Sequence, residues 1–516
     1  MRLTDRNFTT GATKNSLIHI VVTGDPSQSP QGSSYKSTLE QSVLAGLLPL
    51  ENKINNSTTN PLILTYEIVL GNGVYNDTTT NSIVNDLNVV LTLCDKINFT
   101  LLNTIGGDNN IIQNSSLTGF TFSELTSIGG DNNIIQNSSL TDILFSQLTS
   151  IGGQNYIEQN SSLVDVSFNQ LTIIGGQNYI KSNPILTGIT FSQLTTIGEE
   201  NIMMNNGGVV NVDLPLLETI GTNNRIQNIN SLTELTLPSL TTIGGYNLIS
   251  NNALLTGLTF SQLTTIGIYN SISNNPLLID ISFPLITSIG NDNYIQNNDS
   301  LTEFTFPLLT TIGGVNSTQE NDLLTGFTFP NLITIDGQNI IQDNSSLTDI
   351  SFPQLTSIGD NNNIQINPSL TGFTFPLLTT IDNTNYIYDN TSLTDISFPQ
   401  LTTIGFQNII ESNPSLTDIS FPLLTSIGNQ ISITNNPLLT TIIVDTAGFT
   451  ATGYDFSNNA LSQTTVDDIL LALDNNGQTN KIVYLDGGTN SAPTGGASNP
   501  NKLSLEGKGW TVNINP

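Results

Sequence analysis

The chain has 516 residues, with 41 Asp or Glu against 11 Lys or Arg, so its net charge is −30. Nucleic acid is excluded as a partner, because binding it requires phosphate-neutralising Lys and Arg. A single histidine, His19, and a single cysteine, Cys94, rule out an internal disulfide framework and any Ser/His/Asp, Cys/His or multi-histidine metal site within one chain.

The opening MRLTDRNFTTGATKNS lacks the apolar run of a secretory signal, and no stretch reaches the length of a membrane span. Export by the general secretory route is therefore not expected. Leu17 to Asp25 reads as a strand, Ser27 to Tyr35 as a turn-rich loop, and Ser37 to Leu48 as a short helix capped by Ser37 or Thr38. These elements define a small α/β N-terminal domain over residues 1–49. Residues 50–93 are polar and rich in Asn and Thr, with apolar DLNVVLTL just before Cys94, and are expected to shield the next domain as an N-terminal cap.

From Cys94 to Leu438 the chain consists of fifteen consecutive 23-residue units without insertion or deletion. One copy is LTDISFPQLTSIGDNNNIQINPS, Leu347 to Ser369, and the pattern is L-T-x-I/F-x-F-x-x-L-T-x-I-G-x-x-N-x-I-x-x-N. Such a period means a stacked solenoid, in which each position of the unit becomes a row along the stack. A lone coil cannot offset the entropy of ordering its backbone, so stability must come from its neighbours.

Position 1 is Leu in Leu117, Leu140, Leu163 and onward, with Val209 and Cys94 as substitutes, which makes Cys94 a buried apolar filler. Position 6 is Phe except at Leu214 and Leu237, and position 12 is Ile from Ile105 to Ile427. With the apolar positions 4, 9 and 18, these rows form the core. Apolar positions 4 and 6 flanking a polar position 5 give the period-two signature of a half-buried strand, expected to pair in parallel with its neighbours. Gly at position 13, replaced by Asp336 and Asp382, suggests a corner at positive φ. Asn recurs at positions 16 and 21, as in Asn109, Asn114, Asn132, Asn137, Asn155 and Asn160, and predicts structural amide ladders along the stack.

After Leu438 the period fails, and residues 439–516 read as an α/β capping domain. Val466, Ile469, Leu470 and Leu473 lie at helical spacing, with Thr464 as N-cap and Gly477 as the stop. Strands are expected at Lys481 to Leu485 and Gly509 to Asn515, around a loop. The fold class is therefore mainly β, a parallel solenoid with small α/β ends.

Two outward rows are candidate binding surfaces. Position 3 alternates between acid (Asp142, Asp165, Glu234, Asp280, Glu303, Asp349, Asp395, Asp418) and Gly, beside a Thr/Ser row at position 5. It is either a solvated face or a ligand face on which Ca²⁺ bridges neighbouring carboxylates. No catalytic residue is singled out, because a regular row sets no carboxylate pair apart. Position 17 carries Tyr156, Tyr179, Tyr294 and Tyr386, which either cover the adjacent turn or stack on a sugar or partner surface. Asn114, Asn137, Asn160 and Asn344 open Asn-Ser-Ser triplets that match the glycosylation acceptor pattern. They are more simply by-products of the repeat, with bare amides in a prokaryotic or viral source and artefactual modification in a secretory eukaryotic host.

The unit L-T-x-I-x-F-P-x-L-T-x-I-G resembles the BspA-type leucine-rich repeat of bacterial and microbial surface proteins, over roughly residues 94 to 445. It departs in the second half, where that family has an Ala-Phe pair and a Cys and this chain has Ile and Asn, as in receptor L-domain repeats. The resemblance implies a leucine-rich-repeat solenoid and, as a tendency, adhesion. Gly24 to Gln41, GDPSQSPQGSSYKSTLEQ, resembles the opening of bacteriophage tail-fibre and virion-appendage proteins. It implies attachment to other virion proteins through the N-terminal domain.

Taken together, the sequence puts first a non-enzymatic virion protein (a tail fibre, spike or capsid-decorating protein) whose solenoid is a spacer or recognises a host-surface glycan or protein. Such a chain either trimerises or stands singly, without entering the membrane. The alternative is a bacterial cell-surface, extracellular adhesin of the BspA type. A polysaccharide-active enzyme ranks third.

Overall fold

The computed structural model describes residues 66–68, 73–77, 82–83, 86–89 and 94–516. The elements expected at Leu17–Asp25, Ser27–Tyr35 and Ser37–Leu48, the domain 1–49 that they define, and the side-chain setting of Cys94 fall outside the described residues. The protein is a mainly β parallel solenoid of about sixteen coils, with two α-helices among the described residues. Two compact units are distinguished: the described residues up to Ile243 with Asn251–Ala253, and Gly244–Ser250 with Leu254–Pro516.

In each unit a coil contributes three strands, one more pair than the period-two signature at positions 3 to 6 reveals. In the first unit a representative coil has Asp142–Phe145, Ser150–Ile151 and Asn155–Glu158. Each pairs in parallel with its counterpart 23 residues earlier: Asp142 with Gly119, Ser150 with Ser127, Asn155 with Asn132. In the second unit Asp349–Ser351, Ser357–Ile358 and Asn362–Gln365 repeat the arrangement against Gly326, Thr334 and Asn339. Pairing also reaches one coil before Cys94, since Ser82 pairs with Thr104 and Leu87 with Asn109.

The inward rows are those that the period indicates. Ile151, Leu148, Phe145 and Leu140 in one unit, and Ile358, Leu355, Phe352 and Leu347 in the other, are buried. Phe rings at position 6 stack on their neighbours, Phe99 on Phe122 and Phe122 on Phe145 at 5.1 Å, and Phe260 on Phe283 at 5.1 Å. Polar rows are built in as firmly. Each position-16 Asn donates Nδ2 to the Oδ1 of the next coil, as in Asn132 to Asn155 at 2.8 Å and Asn270 to Asn293 at 2.9 Å. In the first unit the ladder begins at Asn109, whose neighbour is Leu87 and whose Oδ1 has no partner. In the second it ends at Asn408, whose neighbour is Ile431 and whose Nδ2 has no partner. An orphan therefore sits where the Asn row gives way to an apolar residue.

Position-21 asparagines close the turns. Asn137 donates Nδ2 to the Ile111 carbonyl at 2.8 Å and its backbone N–H to Asn160 Oδ1 at 3.0 Å. Threonines at positions 2 and 10 satisfy carbonyls on the outside: Thr141 Oγ1 donates to Thr118 O at 3.0 Å and Thr149 Oγ1 to Thr126 O at 2.9 Å.

The left-handed corner is not at position 13. Among the described residues no position-13 glycine has positive φ; the row at position 20 does, from Gln113 (φ 58°) to Asn435 (φ 58°). Gly is favoured at position 13 by close approach instead, because a Cβ on Gly129 would stand 2.1 Å from Gly106 O. Asp336 and Asp382 occupy the same row, which means that the backbone there can shift to admit a side chain.

At the C-terminal end Thr441–Val444 still pairs with Asp418–Phe421. Helix α1, Gln463–Asn475, is capped by Ser462, which accepts the Thr465 N–H, rather than by Thr464. It buries Val466, Ile469, Leu470 and Leu473, and Gly477 follows at φ 72°. Strands Ile482–Leu485 and Thr511–Ile514 flank helix α2, Pro500–Gly507, where the sequence reading has only a loop. Asn499 accepts the N–H groups of Asn501 and Lys502, and Pro500 stands at the first helical position, a start signal present in the sequence.

Two stability outcomes follow. Asn293→Leu orphans Asn270 Nδ2 and Asn316 Oδ1 and is expected to cost about 2–6 kcal/mol, at about 1–3 for each buried orphan. Asn408→Leu only passes the existing orphan to Asn385 and is expected to stay within about 1 kcal/mol of wild type. Denaturant titration of both variants checks this, and equal losses would contradict the ladder. Ile366, β-branched and half-exposed at φ 55°, is expected on replacement by Asn to gain about 1 kcal/mol, measured in the same way.

Candidate recognition surface

The three sheets put different chemistry outside. On the first, position 3 holds its eight acids exposed: Asp142, Asp165 and Glu234 in the first unit, and Asp280, Glu303, Asp349, Asp395 and Asp418 in the second. Asp395 and Asp418 pair directly across the ladder. The alternation with Gly has a packing basis in the first unit. A Cβ on Gly188 would meet Asp165 Oδ1 at 3.0 Å, and one on Gly119 would meet Asp142 Cβ at 3.4 Å. At Gly326 and Gly372 the space is ordinary, the nearest atoms lying at 3.7 Å, so the crowding is confined to Gly188 and, more mildly, Gly119. Partial burial raises the Asp165 carboxyl above its ordinary value of 3.8. Thr141 and Thr417 each share one hydroxyl hydrogen between a carbonyl of the preceding coil, Thr118 O at 3.0 Å and Thr394 O at 3.1 Å, and the adjacent acid, Asp142 at 3.0 Å and Asp418 at 2.6 Å. Among the described residues no group of three or more Asp, Glu, His or Cys side chains comes together to hold a metal ion. The row remains a line of single acids and adjacent pairs.

The sheet at positions 16 to 19 has a different outer face. All seven tyrosines of the fifteen repeats stand on it: Tyr156 and Tyr179 in the first unit, and Tyr246, Tyr269, Tyr294, Tyr386 and Tyr388 in the second. They occupy positions 15, 17 and 19, the outward parity of that strand, while Asn at 16 and Ile at 18 point inward and are buried. Tyr156 stacks on Tyr179 at 4.9 Å, Tyr246 on Tyr269 at 4.5 Å, and Tyr386 on Tyr388 at 5.7 Å. These rings are half-exposed. Tyr294 donates its hydroxyl to Asp292 Oδ2 at 3.1 Å, and burial, with that bond second, pushes its pKa up to about 12. Burial likewise raises Tyr156, Tyr179 and Tyr386.

Two of the basic side chains lie on the same face, Lys181 3.5 Å from Glu158 and Arg225 4.0 Å from Glu200. Sequence reasoning picks out Tyr156, Tyr179, Tyr294 and Tyr386 from position 17 but misses Tyr246, Tyr269 and Tyr388. Their signal is parity: in a strand at positions 16 to 19, position 19 and the preceding position 15 lie on the face of 17. The ladder asparagines Asn109, Asn114, Asn132, Asn137, Asn155 and Asn160 are all buried and form no part of this surface.

A parallel stack of short strands with Leu, Ile and Phe rows defines the leucine-rich-repeat class of solenoid. Within that class, residues 200–437 are similar to the BspA type leucine rich repeat region (6 copies), matched over 200–316, 274–391 and 315–437. The fold is similar to that of a leucine-rich repeat protein from Bacteroides ovatus ATCC 8483, at 16% identity over 75% of this chain and 88% of the other, with a TM-score of 0.36. A leucine rich cell surface protein from Faecalibacterium prausnitzii A2-165 is similar at 14% identity over 73% of this chain and 90% of the other, with a TM-score of 0.26. No curated protein matches the chain. No helix among the described residues is long and apolar enough to cross a membrane.

The raised Asp165 carboxyl fixes the sign of one pH effect. A carboxyl that holds its proton more tightly when folded contributes stability that is fully present below the ordinary value of 3.8 and is lost as pH rises through the raised folded value. Asp165→Asn is therefore expected to flatten the decline of the thermal midpoint from pH 4 toward pH 7. Parallel melting curves of wild type and variant check this, and identical slopes would contradict it.

Proposed function

We propose that the protein is a non-enzymatic adhesin displayed at a bacterial cell surface, and that it recognises a host-surface glycan or protein through its tyrosine-bearing face. The observation that carries this is that, in each unit, every repeat tyrosine lies on the outward side of the strand at positions 16 to 19. Rows that point inward are held nearly constant from coil to coil, while outward position 17 varies freely among Asn, Tyr, Ile, Arg, Leu and Ser. A scaffold that fixes its interior and varies one face is suited to recognition. Tyrosine adds a large rigid contact with a hydrogen-bonding tip.

The match to the BspA type repeat supports this reading over the virion appendage that the sequence puts first. The segment resembling tail-fibre proteins, Gly24 to Gln41, lies outside the described residues, so attachment to virion proteins gains no support. The solenoid also sets no carboxylate pair apart for polysaccharide hydrolysis, which keeps an enzyme in third place.

Beads coated with the protein, presented to a panel of host cells and to immobilised glycans, test the reading. Tyr246→Ser with Tyr269→Ser, or Tyr156→Ser with Tyr179→Ser, is expected to lower adhesion at least tenfold with little change in far-ultraviolet circular dichroism. Asp349→Asn with Asp395→Asn is expected to leave adhesion near wild type. Full adhesion by both tyrosine variants, or none by the wild type on any surface, would sink the proposal.

A further inference from the structure

The Asn-x-Ser/Thr triplets, which the recognition surface does not use, gain a consequence from their burial. Residues 94–516 contain eight: Asn98, Asn114, Asn137, Asn160, Asn298, Asn316, Asn344 and Asn390 each precede Ser or Thr by two positions. Seven of these, all except Asn98, have 0% exposure. Their amides are also fully engaged. Asn137 Nδ2 donates to Ile111 O at 2.8 Å and to Asn160 Oδ1 at 3.2 Å. Asn344 Nδ2 donates to Thr318 O and to Gln342 O, both at 3.0 Å. Asn390 Nδ2 donates to Ile364 O at 2.9 Å and to Tyr388 O at 3.2 Å. Asn316, in the other ladder, donates to Asn339 Oδ1 at 2.9 Å.

Attaching a sugar replaces one Nδ2 hydrogen with a bulky hydrophilic group. At these positions it would remove a buried hydrogen bond and place that group where neighbouring coils meet with no solvent space. The position-21 amide ties each coil to the preceding one, so a coil that cannot seat it loses that contact as well.

We infer that glycosylation of any of the seven buried acceptors and closure of its coil are mutually exclusive, so that this chain folds only where N-glycan transfer does not precede folding. Asn98 is the internal contrast. It lies at outward position 5, half-exposed, between buried Ile97 and Phe99. A glycan there is compatible with the fold. The inference rests on burial and hydrogen bonding alone and stands independently of the adhesin reading.

The test directs the full chain into the secretory pathway of a eukaryotic cell behind an added leader, with and without inhibition of N-glycan transfer. Glycopeptides are then mapped in the soluble, protease-resistant fraction and in the retained, protease-sensitive fraction. Glycans at Asn114, Asn137, Asn160, Asn298, Asn316, Asn344 or Asn390 are expected only in the retained fraction, and the inhibitor is expected to raise the folded yield at least fivefold. Changing the acceptor serines alone (Ser116→Ala, Ser139→Ala, Ser162→Ala and Ser346→Ala together) keeps every Asn and is expected to recover part of that yield without the inhibitor. A glycan on any of the seven in the protease-resistant fraction would overturn the inference, as would a yield indifferent to the inhibitor.

Discussion

The structure depends on one constraint: almost every polar group on a coil can be satisfied only by the coil beside it. A strand such as Ser150–Ile151 is too short to mean anything alone, and its backbone bonds run to Ser127 and Ile128 on one side and to Ile173 and Ile174 on the other. The buried amides obey the same rule, since Asn155 Nδ2 is held by Asn178 and the turn at Asn160 is tied to the Ile134 carbonyl. Leaving such groups buried and unpaired costs more than the paired bond gains. The stack is therefore held in register by its polar rows as much as by its Leu, Ile and Phe. A slip by one residue would turn the inward Asn and Ile of a strand to the outer face and break the amide ladder.

That constraint explains what was legible in the sequence. Each inward position is dictated by like positions on both sides, so the pattern repeats with few substitutions, such as Val209, Leu214 and Leu237, and the core can be read from spacing alone. Where two physical causes select the same residue, reading fails. Gly at position 13 reads as a positive-φ corner, yet it answers close packing, since a Cβ on Gly129 would stand 2.1 Å from the preceding carbonyl. The real left-handed row, at position 20, is Asn or Asp in eight of fifteen coils, a left-handed preference diluted by Gln, Ser, Glu and Ile366. The coil before Cys94 was hidden because Ser82 and Thr104 lie 22 residues apart rather than 23 and because Leu87 stands where Asn109 begins the ladder. Helix α2 was passed over, although Asn499 and Pro500 mark its start, because the Gly- and Ser-rich residues before it read as continuous loop.

The candidate surface was half legible for a related reason. Outward Thr at positions 2 and 10 keeps the period because its hydroxyl bonds to the preceding coil, whereas positions 15, 17 and 19 carry none, and only strand parity shows that Tyr246, Tyr269 and Tyr388 share a face with Tyr294 and Tyr386 in the second unit. Parity in turn needs the strand's limits, and the long strand at positions 16 to 19 has Asn at an inward site, which disguises it as a polar loop. The acidic row is legible because its acids all recur at position 3 of the unit.

The division of labour between rows has a consequence for how such a chain can change. A substitution at an inward row is met by two neighbouring copies of the same residue, and its cost is set by orphaned amides or voids that cannot relax. At most coils a substitution at position 15, 17 or 19 meets solvent on one side, although Ile202, Asn223, Ser250 and Ser317 on these rows are buried. Stability and specificity are thereby carried by alternate residues of a single strand: Asn and Ile at 16 and 18 hold the coil, and tyrosines at 15, 17 and 19 are free to vary. The same alternation explains why an acceptor triplet can recur at position 21 unmodified, since its Asn belongs to the part of the coil that has no access to anything but its neighbours.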